Sequence, residues 1–328
     1  MGSGGSADPG ADPGGGKGPG ADPGAGPGGG KAFAAIAVRA AAAAQVFVDD
    51  PARPVLSPDD AHHLGRVLRL RAGEEVVVSD GAGQWARTLW LGGDPVRLAP
   101  LCDGAGPGGD GSVQFEGAPF PPLTVAFAPT KGERPEWVVQ KLTELGIDRV
   151  VPLRSERSVV RWSGARGQGA VERLRRVARE AAAQCRRVRL PEISEVLDFG
   201  QLGALGQLAQ LGALGQLAQP GAPDQLAAPG APGQLADPSV PSSAGDVVLA
   251  QLSGDRLCAS HHVVAVGPEG GWSPDELASG LPTVGFGLSV LRAETAAVTA
   301  AALMVSLRTG TVAQMAPTAP VGPVGESS

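Results

Sequence analysis

Short apolar runs separated by polar residues predict two domains of different architecture. Between residues 45 and 101, the runs VFVDD, EEVVVSD and QWARTLWL have the alternation and residue types of strands, and Asp80-Gly81 marks a turn. Ser57 is placed to cap a short helix that has Pro58 at its first position. We therefore expect a small β-barrel over 45–101.

From Pro122 onward, apolar strands alternate with helical patterns, which is typical of a parallel α/β sheet. The predicted strands are LTVAFAP, DRVVPL, RLPEI, DVVLAQL, HHVVAVG and PTVGFG, and the predicted helices cover 136–145, 171–187 and 294–307. The apolar stripe of the first helix consists of Trp137, Val138, Leu142 and Leu145. Gly146 is expected to end this helix. We expect this α/β domain to span 122–310.

Glycine and proline are concentrated in four segments that carry little apolar bulk. The chain has 328 residues, of which 50 are Gly and 30 are Pro. Segments of this composition bury too little apolar surface to offset the entropy of ordering their backbone. We expect disordered tails over 1–44 and 311–328, a linker over 102–121 and a disordered insert over 200–245, in which LGALGQLAQ occurs twice.

Basic residues are concentrated in one part of the chain, although the net charge is −6. Residues 131–190 contain 15 Lys and Arg against 7 Asp and Glu, which is more than half of the 27 basic residues. Arginine suits phosphate because its planar guanidinium donates two parallel hydrogen bonds. This pattern fits a face that binds a polyanion, and it also fits a solvated helix face with salt bridges.

Several classes of protein are disfavoured by the sequence. The longest apolar runs fall short of the roughly 18 residues that a membrane span needs. Three cysteines are too few for a disulfide scaffold or a zinc cluster. The four histidines form two pairs of neighbours, and the two side chains of each pair would point in different directions on a helix or strand, so neither pair is a ready metal site. We expect no metal, no membrane and a cytoplasmic location, while the Ala-rich stretch 31–45 leaves an organellar leader open.

A glycine-rich turn, GPEGGWSPDE, follows the predicted strand HHVVAVG. Ser273 is placed to cap a helix with Pro274 at its first position, and Glu276 completes a capping box. Glycines at such a turn allow a ligand to approach the backbone amides closely. A tight turn without a ligand is the alternative. The motif has neither the lysine of a P-loop nor the spacing of a dinucleotide fingerprint.

A second strand-to-helix turn, VGFGLSVLRAETA, begins at Val284. Arg292 and Glu294 lie where the helix is expected to begin. They are candidate catalytic residues, and an ordinary surface ion pair is the alternative.

Five collinear stretches resemble the RsmE-type 16S rRNA (uracil-N3)-methyltransferases. They are HHLGRVLRLRAGEEVVVSDGAG, PTKGERPEWVVQKLTELGIDRVVPLRSERSVVRW, REAAAQCRRVRLPEI, VGPEGGWSPDEL and GLSVLRAETAA. The first is similar to the PUA-like N-terminal domain of that family, and the others to its SPOUT methyltransferase domain. The chain departs from the family pattern at Ala183, at Arg186, where a Gly is usual, and at Gln45, which lies where an Arg is expected near the first strand.

The resemblance implies a fold, a cofactor and site residues. The fold is α/β, with a C-terminal SPOUT-type trefoil-knotted parallel sheet and a small N-terminal PUA-like β-barrel. The cofactor is S-adenosylmethionine, and the implied cofactor-binding residues are Leu249, Ala250, Val266, Gly267, Pro268, Glu269, Gly270, Gly271, Gly285, Gly287, Leu288, Val290 and Leu291. The implied RNA-binding residues are His63, Arg66, Arg69, Arg71, Lys131, Arg134, Arg154, Arg157 and Arg187.

The resemblance also implies an activity and partners. The activity is methylation of N3 of a uridine in small-subunit rRNA, with Arg292 stabilising the uracil anion and Glu294 orienting Arg292 or accepting a proton. The partners are the rRNA or the assembled subunit and a second copy of the chain, for which the Ala-rich last helix offers a packing face. A non-catalytic RNA-binding protein and a methyltransferase for another position, such as a tRNA ribose 2′-hydroxyl, are the alternatives.

Overall fold

The computed structural model describes residues 29–203, 205 and 247–312, which form two sheets with their helices. The N-terminal strands are β1 (Ala44–Phe47), β2 (Glu75–Ser79), β3 (Gln84–Gly92), β4 (Arg97–Pro100) and β5 (Gln114–Phe115). The helices of this region are α1 (Gly29–Ala41) and α2 (Pro58–His62), and α2 continues as a π-helical turn over His63–Val67.

The N-terminal strands form an open sheet rather than the expected closed barrel. Hydrogen bonding follows the order β1-β2-β3-β4, and β5 pairs with β3. The β1–β2 pair is parallel and the other pairs are antiparallel. The predicted helix cap is present, because the Ser57 hydroxyl accepts a hydrogen bond from the backbone of Asp60 at 3.0 Å. The sheet and α2 enclose a core that includes Leu64, Val76 and Trp90.

Part of the predicted tail and part of the predicted linker are structured. Helix α1 lies within 1–44, and its Arg39 is 3% exposed. The Arg39 guanidinium donates to Glu116 at 2.8 Å and lies over the ring of Trp85. Strand β5 lies within 102–121, and Asp103 of the same segment forms an ion pair with Arg87 on β3. Residues 1–28 and 313–328 of the predicted tails lie outside the described part of the chain.

The C-terminal region is a parallel α/β structure, as predicted. Its strands are β6 (Thr124–Phe127), β7 (Arg149–Arg154), β8 (Glu192–Ile193), β9 (Leu197–Asp198), β10 (Val247–Arg256), β11 (Val263–Val266) and β12 (Thr283–Gly285). Its helices are α3 (Arg134–Leu145), α4 (Gly164–Gln184), α5 (Pro274–Leu277) and α6 (Ala293–Arg308). The strand order is β12-β10-β11-β6-β7-β8, with β9 paired to β7, and every pair is parallel.

The two faces of this sheet belong to different apolar clusters, because successive strand residues point to opposite faces. Val125 packs in the cluster formed with α3, α4 and α6, whereas its neighbour Ala126 packs in the cluster that contains Trp272. Leu202 and Leu205 also belong to the second cluster and are 0% and 6% exposed. The predicted insert 200–245 therefore begins with residues that are part of the core. Residues 204 and 206–245 of that insert lie outside the described residues.

The faces of two helices differ in part from those predicted. In α3 the predicted Val138 and Leu142 are buried and Leu145 is partly buried, but Trp137 was wrong, because it is 44% exposed and Val139 is buried in its place. Gly146 ends α3 in the left-handed conformation, as predicted. The alanines of α6 are not free for a second copy: Ala296, Ala297, Ala300 and Ala301 are buried in the chain's own core.

The two regions contact each other through the end of α4 and the residues that follow it. Gln45 on β1 donates to the carbonyl of Arg187 at 2.6 Å, and Ser79 on β2 donates to the carbonyl of Val188 at 2.9 Å. Arg186 has φ +63° at the position where the family pattern has Gly. Its guanidinium donates to the carbonyl of Ala42 at 2.9 Å, so this unusual residue joins the two regions.

Among the described residues, the helices all fall short of the length and apolar character that crossing a membrane requires.

Candidate active site

A cavity of about 580 Å³ opens beside the carboxyl-terminal parts of β10, β11 and β12. Ligands commonly bind at this edge of an open parallel sheet. The predicted residues that line the cavity are Ala250, Val266, Gly267, Pro268, Glu269, Gly271, Gly287, Val290, Leu291 and Arg292. Both glycine-containing turns predicted from the sequence thus meet at one cavity.

Four predicted cofactor-binding residues do not line the cavity. Leu249 is fully buried in the core, because strand alternation turns it away from its neighbour Ala250. Gly285 lies against the carbonyls of β10, and Leu288 is fully exposed. Gly270 lies behind the turn, where an added Cβ would be 3.6 Å from the Cβ of Arg157.

Other lining residues were not predicted as cofactor contacts. They are Arg134, Gln251, Leu252, Trp272, Val284, Phe286, Ser289, Ala293 and Ala296. Two sequence signals were available for part of this set. Trp272 directly follows the glycine turn, and Ala296 lies one helical turn after Arg292, on the same side of the helix.

Trp272 fixes the first wall of the cavity, the segment Val266–Trp272. Its indole nitrogen donates to the carbonyl of Ala250 at 3.0 Å, which ties the turn after β11 to β10. The same ring lies beside Gly267, where an added Cβ would be 3.0 Å from the nearest ring atom. Gly267 therefore allows backbone and indole to pack closely, and a larger residue would displace one of them.

The predicted capping box extends beyond its helix. Ser273 Oγ accepts from the Glu276 amide at 3.2 Å, and the Glu276 carboxylate accepts from the Ser273 amide at 2.8 Å. The carboxylate is buried, and it also accepts from the Ser155 hydroxyl at 3.1 Å and the Glu156 amide at 2.9 Å. One acidic side chain therefore holds the turn after β11 against the turn after β7.

Arg157 supports the first wall from behind. Its guanidinium donates to the carbonyl of Gly270 at 3.3 Å and to that of Trp272 at 3.1 Å. These contacts give Arg157 a role in holding the turn, and the RNA contact that the resemblance implies stays a prediction. The hydrogen bond to Trp272 spans 115 positions of the chain, so local sequence patterns did not reveal it.

The second wall, residues 286–292, is held much less firmly. Within the described chain, residues 286–291 form no hydrogen bond outside regular strands and helices. Gly287 has φ +135°, a conformation that other residues rarely adopt. Leu288 and Val290 are 102% and 84% exposed, so this wall presents apolar side chains to solvent.

The two predicted catalytic residues do not pair with each other. Arg292 immediately precedes α6, lines the cavity and is exposed, and its guanidinium has no hydrogen-bond or ion-pair partner among the described residues. Glu294 Oε1 instead lies 3.8 Å from Arg134 Nε, and Glu294 Oε2 is buried without a partner in the described chain. Arg134 also donates to Glu269 at 2.8 Å. Arg134 is thus part of the cavity mouth, where it links the first wall to the first turn of α6.

The remaining residues predicted to bind RNA fall into three groups. The exposed ones are His63, Arg66, Arg69, Arg71 and Lys131. Arg154 forms a two-point ion pair with Asp198, which lowers the pKa of that carboxyl. Arg187 is enclosed and donates to the carbonyls of Thr143 and Ile147 at 2.9 and 2.8 Å. Burial lowers the pKa of Arg187, and its hydrogen bonds give it a structural role, while its contact with RNA stays a prediction.

In the described chain, no three His, Cys, Asp or Glu side chains are grouped as a metal site would require.

Comparisons with known proteins agree with this architecture. Residues 117–221 and 241–305 match a family described as an RNA methyltransferase domain, and residues 56–88 match an RNA methyltransferase PUA domain. A Synechocystis protein named ribosomal RNA small subunit methyltransferase E is 30% identical over 245 residues, covering 74% of this chain and 69% of that protein.

A Mycobacterium bovis protein of the same name is 35% identical over 151 residues, covering 45% of this chain and 54% of that protein. The chain thus spans about half the length of this relative. The crystal structure of the Neisseria gonorrhoeae protein of that name, bound to S-adenosylmethionine, has a TM-score of 0.55 at 19% identity and covers 80% of this chain and 97% of that one. These matches and the fold together establish that the chain belongs to the RsmE-type RNA methyltransferase family, with a PUA domain and a SPOUT-like methyltransferase domain.

Proposed function

We propose that this protein transfers a methyl group from S-adenosylmethionine to N3 of a uridine in small-subunit rRNA. The observation that carries the proposal is the cavity in which the two glycine-containing turns meet beside Arg292. Relatives named ribosomal RNA small subunit methyltransferase E support the substrate class.

The residues of the cavity fit this cofactor. The volume of about 580 Å³ lies within the range of small-molecule sites. Gly267 lines the cavity and lets its backbone pack against the ring of Trp272, because an added Cβ would lie 3.0 Å from that ring. Backbone atoms of 266–271 and 287–291, together with Ala250, would hold the cofactor. When bound, S-adenosylmethionine supplies a methyl group that its sulfonium already activates.

The chain's own residues must make N3 of uracil nucleophilic, since N3 carries a proton in neutral uracil. Arg292 is exposed at the cavity without a partner of its own, so its guanidinium is available to stabilise a uracil anion. Glu294 does not line the cavity itself, but it follows the lining residue Ala293 and one of its carboxylate oxygens is buried without a partner in the described residues, and we propose that this oxygen receives the N3 proton through water. Arg134 holds the other oxygen of Glu294 and so positions it.

The proposed partner is small-subunit rRNA or the assembled subunit in the cytoplasm. The exposed residues His63, Arg66, Arg69, Arg71 and Lys131 are available for phosphates. A uridine that is stacked or paired must leave its neighbours before N3 can enter a cavity. Recognition of folded RNA by the PUA domain would supply the contacts that offset this cost.

We further propose that the turns of the methyltransferase domain form a trefoil knot and that the protein is a homodimer. The buried alanines of α6 do not offer a dimer face. Leu288 and Val290 offer a different one, because they are exposed apolar residues on a segment that lines the cavity. Light scattering at assay concentration should give the mass of two chains, and a monomer would refute the dimer.

The proposed reaction is tested by incubating small ribosomal subunits with the protein and methyl-labelled S-adenosylmethionine. Wild type should label the small-subunit rRNA, and Arg292→Ala should lower the rate at saturating substrate by about 100-fold, as expected for loss of one anion-stabilising donor. Arg256→Ala, at an exposed arginine that does not line the cavity, is the matched control. Full activity of Arg292→Ala would refute its role. Cofactor binding without transfer to any RNA would favour a non-catalytic RNA-binding protein.

A further inference from the structure

A tight turn in the methyltransferase domain, here called the thiol turn, places two polar side chains beside one cysteine. It covers residues 258–261, between β10 and β11, and the His261 amide closes it by donating to the Cys258 carbonyl at 3.0 Å. Its four residues, all within the described part of the chain, lie outside the lining of the cavity beside Arg292. The proposed methyl transfer does not use them.

The sulfur of Cys258 is the centre of this cluster. Ser260 Oγ lies 3.1 Å from Cys258 Sγ, and both ring nitrogens of His261 lie 3.4 Å from it. Cys258 and His261 are partly buried, whereas Ser260 is exposed. The sulfur is therefore held by polar groups of the chain in a place that a small reagent can approach from solvent.

The backbone of the thiol turn determines which nitrogen of His261 carries a proton. The Cys258 amide donates to His261 Nδ1 at 3.2 Å, so Nδ1 acts as an acceptor. In a neutral imidazole the proton is then on Nε2, which is a donor near the sulfur. The Ser260 hydroxyl can rotate to donate as well. Hydrogen bonds from these donors stabilise a thiolate, which is the nucleophilic form of cysteine.

The other two cysteines differ from Cys258 in these contacts. Cys185 donates to the carbonyl of Ala182 at 3.7 Å, and burial raises the pKa of its thiol. Cys102 is exposed, and its sulfur takes part in no hydrogen bond within the described residues. Exposure alone would make Cys102 the most reactive thiol, whereas the contacts of the sulfur favour Cys258. The two explanations thus predict different orders of reactivity.

We infer that Cys258 is a modification site for low-molecular-weight disulfides, and that the donors of His261 and Ser260 promote its reaction. The thiol loses its proton to water, and the thiolate forms a bond to one sulfur of the disulfide. The S–S bond of the reagent breaks, and its other sulfur leaves as a thiolate that takes a proton from water. Cys258 is thereby oxidised to a mixed disulfide, and the released half of the reagent is reduced.

The test treats the full chain with dithiodipyridine, an uncharged disulfide, at neutral pH. Absorbance of the released pyridinethione gives the rate, and mass spectrometry of peptides from an early time point identifies the labelled cysteine. Cys258 should react about 10-fold faster than Cys102, the effect of one hydrogen bond to a charged group, and Cys185 should react slowest. Labelling of Cys102 as fast as that of Cys258, or faster, would overturn the inference.

Two substitutions test the donors separately. His261→Asn keeps an acceptor near the position of Nδ1 but has no donor at that of Nε2, so the rate at Cys258 should fall by about 10-fold while the rate at Cys102 stays unchanged. Ser260→Ala should lower the rate at Cys258 less, because this hydroxyl is exposed and water can replace it. His63→Asn, at an exposed histidine of the N-terminal domain, is the matched control. An unchanged rate at Cys258 in His261→Asn would contradict the role of the imidazole.

Unfolding would expose every thiol, so the thermal unfolding of each variant is compared with that of wild type. If His261→Asn does not fold, the comparison of Cys258 with Cys102 in wild type decides the question. The inference does not depend on the proposed function. Methylation of RNA without selective labelling of Cys258 would refute the modification site alone, and selective labelling without methylation would refute the proposed reaction alone.

Discussion

The two walls of the cavity beside Arg292 differ in how the rest of the chain holds them. The first wall, 266–272, is fixed by an indole hydrogen bond to Ala250, by two hydrogen bonds from Arg157 and by the buried carboxylate of Glu276. The second wall, 286–292, has no comparable hydrogen bonds within the described residues; Phe286 and Leu291 pack against the core, and Leu288 is exposed. One wall is therefore organised before any ligand binds, and the other is free to adjust.

This difference suggests a division of roles. A fixed wall reduces the ordering that binding must otherwise impose, and therefore favours affinity for the cofactor. A loosely held wall can close around a substrate or pack against a second chain, at the cost of becoming ordered in that step. Damage to the first wall should consequently impair cofactor affinity, whereas damage to the second should impair assembly and turnover.

The largest expected effect comes from Gly267→Val. Its Cβ would lie 3.0 Å from the indole of Trp272, so the turn or the ring must move. We expect the affinity for S-adenosylmethionine to fall by about 100-fold or more, equivalent to about 2.7 kcal/mol, measured by calorimetry. Gly270→Val is the matched control, because its Cβ meets ordinary contact distances and should change affinity only slightly. A larger loss of cofactor affinity for Gly270→Val than for Gly267→Val would contradict the role of Gly267.

A loss of stability should follow from Glu276→Ala. The substitution leaves the amides of Ser273 and Glu156 and the hydroxyl of Ser155 without their acceptor. We expect the free energy of unfolding in urea to fall by about 2–3 kcal/mol. Asp275→Ala, on the same helix but exposed, should change it by less than about 0.5 kcal/mol. Equal effects of the two variants would show that the carboxylate does not hold the turn.

Arg157→Ala should have a smaller effect, directed at the cofactor. Removing the guanidinium frees the carbonyls of Gly270 and Trp272 without creating a clash. We expect cofactor affinity to fall by about 5- to 10-fold, the loss of about one hydrogen bond. The control is Arg161→Ala, an exposed arginine without a recorded partner in the described chain. If Arg157→Ala lowers the affinity for RNA and leaves the affinity for the cofactor unchanged, the result would contradict the role of Arg157 in holding the turn. It would support the RNA contact that the resemblance implies.

The smallest effect on stability is expected for Leu288→Asp and Val290→Asp. Both side chains are exposed in the single chain, so the free energy of unfolding should change by less than about 0.5 kcal/mol at low protein concentration. The dimer proposed above should nevertheless dissociate, because a carboxylate would be buried at its interface. Light scattering measures the dissociation of the dimer. The control is Leu91→Asp, at an exposed leucine on β3. A variant that remains dimeric would remove these residues from the interface.

The sequence predicted features that depend on neighbouring residues better than features that depend on distant ones. The capping box at Ser273 and the end of α3 at Gly146 were confirmed, because both are set within one helical turn. The orientation of Trp137 was wrong, since several rotations of an amphipathic helix satisfy the same pattern and tertiary packing selects one.

Distant contacts also explain what the sequence did not reveal about the candidate site. Arg187 and Arg157 belong to the segment whose excess of basic residues fits RNA binding. Their guanidinium groups donate to carbonyls that lie far away in sequence, and local sequence patterns do not reveal such contacts. Leu249 could have been excluded by strand alternation once Ala250 was assigned to the cavity. The second cavity of the molecule, between β1 and α4, could not be anticipated, because it exists only when these two elements pack together.

The central claim is that the cavity beside Arg292 directs methylation to N3 of uridine in small-subunit rRNA. The most direct measurement is chromatography and fragmentation mass spectrometry of nucleosides from small ribosomal subunits treated with the protein and S-adenosylmethionine. The account predicts a methyl group on the base, as 3-methyluridine. A methyl group on the ribose, or no methylated nucleoside from a protein that binds the cofactor, would contradict it.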